Sequence, residues 1–113
     1  MLNKPDIKRA IPQRRYNFGE FTLVMLGEIE SGDAVNYRYI LAVVREGDDE
    51  PGIYVTCEQG APPAWQLRVV MRDGAQVVAE DAGYQDADAF ATAGLEIVRQ
   101  LLNLGDEEPY RLL

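Results

Sequence analysis

The sequence predicts an α+β domain: a five-stranded, mostly antiparallel β-meander with one C-terminal amphipathic helix packed on one face. Three observations predict it. Segments with period-2 hydrophobic patterning succeed one another from Phe18 to Glu80, separated by turn residues. The pattern then changes to spacings of three and four between Asp86 and Leu104. Finally, 113 residues with 47% hydrophobic and 27% charged content suit one soluble domain able to bury a core.

Residues 1–16 read as a basic N-terminal arm, flexible or extended, ahead of a single globular domain at 17–105 and an acidic tail at 106–113. Pro5 and Pro12 break any sustained periodicity, and Pro12 cannot donate to a ladder. The first strand spans Phe18–Glu30. Phe21, Leu23, Met25 and Ile29 share a side there, opposite Thr22, Glu28 and Glu30. Ser31-Gly32-Asp33 supplies the turn. Val35–Arg45 is the second strand, rich in β-formers and apolar on both sides. Two registers compete. A three-residue loop sets Gly27 opposite Tyr37, and a four-residue loop brings Ile40, Ala42 and Val44 beside Leu23 and Met25.

An acidic loop, Glu46–Gly52, precedes the third strand, Gly52–Glu58, whose Ile53, Val55 and Cys57 face inward. Gln59-Gly60-Ala61-Pro62-Pro63 ends that strand, because consecutive prolines cannot join a ladder. The fourth strand, Ala64–Met71, alternates Trp65, Leu67, Val69 and Met71 with Gln66, Arg68 and Arg72. A three-residue loop, Arg72-Asp73-Gly74, pairs Leu67 with Ala79 and requires left-handed backbone at Gly74. The fifth strand, Gln76–Glu80, is short and polar-ended, as suits an edge. In the helix, Asp86 caps the N-terminus and Asp88 and Arg99 complement the dipole. Phe90, Gly94, Ile97, Leu101 and Leu104 form its apolar stripe, and Gly105 stops it. Gly94 permits close approach to the sheet, beneath an aromatic ring.

The chain has no histidine and one cysteine. Histidine-based triads, histidine general bases and cysteine zinc sites are therefore excluded. No catalytic residue, metal or cofactor is assigned, and the balance is against an enzyme. Cys57 alternates with Ile53 and Val55, as a buried apolar filler would. Its solitude and the lack of an apolar leader point to a cytoplasmic setting. No apolar run reaches the roughly 18–20 residues that span a bilayer, so no membrane partner is expected. The net charge is −8, divided into +4 over residues 1–16 and −12 over the rest. The acidic body disfavours nucleic acid.

The binding candidates are Tyr37, Tyr39, Arg38, Arg68 and Arg72. The tyrosines offer apolar area with a polar tip, and the arginines offer charge for an anion. If one helix shields one sheet face, Val24, Leu26 and some of Tyr37, Tyr39, Leu41 and Val43 are left exposed opposite it. That expectation favours a non-enzymatic protein-interaction domain, self-associating as a homodimer through the second face. Small size, acidity and a meander beside a helix are also broadly similar to acidic secretion chaperones, although no motif is shared. Those proteins begin with a substantial helix, which Pro5 and Pro12 disfavour here. A third reading is a small anionic-ligand binder or enzyme, with Arg38, Arg68 or Arg72 meeting Glu28 or Glu58 in a sheet–helix cleft.

Overall fold

A computed structural model describes residues 4–59, 65–80 and 86–112. The elements are β1 (Ile7–Phe18), β2 (Phe21–Ser31), β3 (Tyr37–Arg45), β4 (Ile53–Gln59), β5 (Trp65–Met71), β6 (Gly74–Ala79), α1 (Ala87–Leu101) and β7 (Tyr110–Arg111). One antiparallel sheet runs in the order β6-β5-β4-β3-β2-β1-β7. The α+β antiparallel architecture is as expected, but the sheet has seven strands rather than five.

The two additional strands come from the segments read as arm and tail. Residues of β1 pair with β2 from Ile7↔Ser31 to Phe18↔Phe21, with three register shifts. One shift lies between Pro12 and Arg14, so the ladder accommodates the proline at an irregularity. In the tail, Tyr110 and Arg111 pair with Asn17 and Tyr16, and the Leu112 N–H donates to the Arg15 carbonyl at 2.7 Å.

Strand alternation sorts the core. Leu23, Met25, Leu41, Val43, Val55, Cys57, Leu67 and Val69 are paired across β2–β5 and share one face. Phe90, Ala91 and Val98 of α1 are buried among them. Asp86 caps α1, its Oδ1 accepting from the Ala89 N–H at 2.7 Å. The helix ends at Leu101, three residues before Leu104, because Asn103 takes the left-handed conformation (φ 53°) ahead of Gly105. Arg99 then donates to the Gly105 and Glu107 carbonyls at 2.7 and 2.6 Å.

Neither register considered for the first hairpin is adopted. Met25 pairs with Leu41 and Leu26 with Ile40, leaving a longer connection. Gly27 therefore sits beside the Gln13 side chain of β1 rather than beneath Tyr37. Gly94 lies over Leu41, not an aromatic ring; an added Cβ would meet Leu41 Cδ2 at 3.0 Å. The β5–β6 turn has two residues, Arg72-Asp73, since Met71 pairs with Gly74. Gly74 does take a positive φ, 155°, a conformation that L side chains rarely adopt, although within a turn one residue shorter than expected. A register shift between Leu67 and Arg68 restores the expected Leu67↔Ala79 pairing at the far end. The expected proline turn at 62–63, residue Ala64 and Tyr84 lie outside the described residues.

Candidate functional site

The five candidate residues are distributed rather than gathered. A register shift between Tyr37 and Tyr39 sets Tyr37 opposite Glu58 and Tyr39 opposite Cys57. Plain alternation would give these tyrosines one face; the irregularity gives them opposite faces. Tyr39 stacks on Phe90 of α1, with ring centroids 5.2 Å apart. Tyr37 is buried, and its hydroxyl donates to Asp33 Oδ2 at 2.8 Å. Burial, then the hydrogen bond and charge of Asp33 and the charge of Glu58, push the Tyr37 phenol well above its ordinary range. Arg38 lies 4.2 Å above the Trp65 ring as a cation–π contact.

Arg68 faces Glu58 across the β4–β5 ladder, with Nε 2.7 Å from Oε1. Thr56 donates its hydroxyl to the same carboxylate at 2.7 Å. The Arg68 Nε–H is nevertheless not aimed at an acceptor, so the pair is held by charge rather than by an aligned hydrogen bond. Arg72 stands on the β5–β6 turn. It borders a polar concavity of about 670 Å³ with Lys4, Tyr54 and the acidic loop residues Asp48, Asp49 and Glu50. Arg68 thus meets Glu58 in a direct ion pair, and neither Glu28 nor Glu58 borders the concavity at Arg72.

The second sheet face differs from expectation. Leu41, Val43 and Tyr39 belong to the α1 side. On the other side Tyr37, Ile40, Ala42, Tyr54 and Val70 are all buried, with Ile7, Leu26, Ile29 and Val35 packed around them. The leader contributes to this cover. Pro5 is buried, and the Asp6 carbonyl accepts from the Gly32 N–H at 2.8 Å. The Asp6 N–H donates to Asp33, and Lys4 reaches the concavity beside Tyr54. The premise of an exposed apolar face, on which the homodimer expectation stood, is not met.

Apolar surface is exposed elsewhere. Val77 and Val78 of β6 and Leu101 of α1 are 40–43% exposed. Between them runs a groove of about 830 Å³, walled by Leu67, Val69 and Val78 on the sheet and by Ala93, Ile97 and Leu101 on the helix. It opens where the sheet ends, because β6 is an edge strand, as its shortness suggested. The sheet's two sides differ in chemistry. β1 carries Lys8, Arg9, Pro12, Arg14 and Arg15 with three register shifts, which are features that discourage strand addition. β6 reads Gly-Ala-Gln-Val-Val-Ala, without charge or proline. That uncharged composition was the signal available in the sequence; the flanking groove was not visible there.

Cys57 is buried. Among the described residues, no three His, Cys, Asp or Glu side chains are placed to hold a metal, and no helix is long and apolar enough to cross a membrane. No protein-family model matches the chain, and comparison with curated proteins and with solved structures finds no match.

Proposed function

We propose that this chain is a non-enzymatic protein-interaction domain whose contact surface is the corner between the β6 edge and α1. The observation that carries this reading is the coincidence of an uncharged edge strand with an open apolar groove at the same place. An edge strand offers unpaired backbone donors and acceptors. A neighbouring apolar groove offers side-chain burial, and together they are the components of strand-addition recognition. The earlier candidates supply less, since Tyr37, Tyr39 and Arg68 are engaged within the chain.

The test compares the wild-type chain with Val78→Arg/Leu101→Arg. Both positions are substantially exposed, so each substitution should alter stability by no more than about 0.5 kcal/mol. Sedimentation and affinity purification are expected to show association, with itself or with another protein, for the wild type. The double variant should lose it while keeping its melting temperature. Association that survives the double variant unchanged, or a wild type that associates with nothing, refutes the reading.

A further inference from the structure

We infer that the occupant of this corner is an extended apolar segment with basic residues at both ends, added to β6 as a further antiparallel or parallel strand. The inference rests on the reading that the corner is an interface, and it names the partner's chemistry.

Backbone geometry comes first. Met71 and Gly74 flank a two-residue turn and close it as a pair. Hydrogen-bonded and open pairs then alternate along the ladder, so Val69↔Gln76 is bonded while Val70↔Ala75 and Arg68↔Val77 are open. The N–H and C=O groups of Ala75 and Val77 consequently point away from β5. A strand laid about 4.8 Å beyond β6 meets these groups, and alternate side chains turn toward the α1 side. There Val78, Ile97 and Leu101 line the groove.

Charge then selects the occupant. Asp73 and Glu80 bracket β6, one at each end, and both are exposed. From residue 73 to residue 98 the chain carries Asp73, Glu80, Asp81, Asp86, Asp88 and Glu96 and not one basic residue. Two of these carboxylates have cationic partners: Asp88 pairs with Arg14, and Glu96 lies 3.3 Å from Arg99. Arg72, the neighbour of Asp73, borders the polar concavity with the acidic loop. A strand with lysine or arginine at each end places one cation beside Asp73 and another beside Glu80, and opposite charges on neighbouring strands attract.

The probe is a labelled peptide with a six-residue alternating valine–threonine core and two lysines at each end. Its control has the same core with two glutamates at each end. Fluorescence anisotropy should show the lysine peptide binding about tenfold tighter, the scale of two exposed ion pairs, with the difference shrinking as salt rises. Asp73→Lys/Glu80→Lys should reverse the preference. Val77→Pro, which removes an outward-facing N–H, should weaken both peptides. Because that variant touches the backbone, a lysine peptide N-methylated along one edge provides the same test without altering the protein. Equal affinity for the two peptides, or indifference to N-methylation on either edge, overturns the inference. If neither peptide binds but the protein dimerises through the corner, the inference fails and the interface reading stands. If neither peptide binds and the corner associates with nothing, both fail.

Discussion

Removing Arg68, Glu58 or both should reveal how the second sheet face is held. The Glu58 side chain is 6% exposed and the Arg68 side chain 23%. At 2.7 Å and an effective dielectric near 20, the gross attraction is about 6 kcal/mol. Desolvating the two ions costs several kcal/mol each, so the pair comes close to break-even. One-sided removal is different. Arg68→Met leaves the Glu58 carboxylate buried with only the Thr56 hydroxyl for support. Breaking a buried pair this way costs about 3–5 kcal/mol, and partial exposure of Arg68 places the expectation near the lower bound. Glu58→Met should cost less, about 1–2 kcal/mol, because the guanidinium can turn toward water. The double variant should lie within about 1 kcal/mol of wild type, since a well-packed apolar pair can replace an ion pair. Urea denaturation of the four proteins gives a coupling energy of about 3 kcal/mol on these figures. Additive losses, with the double variant the least stable of the four, would show that the carboxylate is not buried against its cation.

Four further outcomes follow from the same geometry. Phe90 is fully buried and stacked on Tyr39, so Phe90→Ala should cost about 3–5 kcal/mol and lower the melting temperature accordingly in calorimetry. Ala34 is held at φ 64°, so Ala34→Gly should stabilise by up to about 1 kcal/mol, read from the urea midpoint. Burial raises the Asp33 carboxyl, but hydrogen bonds from the Asp6 N–H, Tyr37 hydroxyl and Val35 N–H outweigh it and hold the group below its ordinary value. Its contribution is thus present above the unfolded-state pKa and lost as pH falls through the folded one; protection of the Asp6 amide, measured against its intrinsic exchange rate, should fall there, and Asp33→Asn should remove that pH dependence. In alkaline titration followed by ultraviolet absorbance, Tyr37, whose folded pKa is raised by burial and by Asp33, should ionise at higher pH in the folded protein than in the urea-unfolded chain. The stability from neutral Tyr37 is full below the unfolded pKa and disappears as pH climbs through the folded one.

Local patterning carried the central elements. Leu23 and Met25, and likewise Val55, Cys57, Leu67 and Val69, alternate so regularly that their common face was legible before pairing was known. Asp86 announced the start of α1 by its chemistry and its position before an apolar stripe. What escaped was non-local. β1 contains a proline and four basic residues, Lys8, Arg9, Arg14 and Arg15, and a strand with one rim largely unpaired need not alternate. Register escaped as well. The β2–β3 connection is longer than either loop considered, and the irregularities at Pro12–Arg14, Tyr37–Tyr39 and Leu67–Arg68 leave no mark in a period-2 pattern.

The same irregularity at Tyr37–Tyr39 dispersed the candidate site. It turned one tyrosine under the leader and the other against α1, so an aromatic pair inferred from alternation became two separate packing residues. It also explains why apolarity on both sides of β3 is no sign of an exposed interface here. β3 lies at the middle of the sheet, with α1 residues packed on one side and Ile7, Ile29 and Val35 on the other. A central strand must be apolar on both faces merely to be buried. The informative surface therefore lies at a rim, where composition is not forced by burial. β1 faces that rim condition with cations, proline and broken register, while β6 faces it with six uncharged residues between two carboxylates. A bare edge carries an aggregation hazard unless a partner regularly covers it, so this asymmetry is what an interaction strand requires.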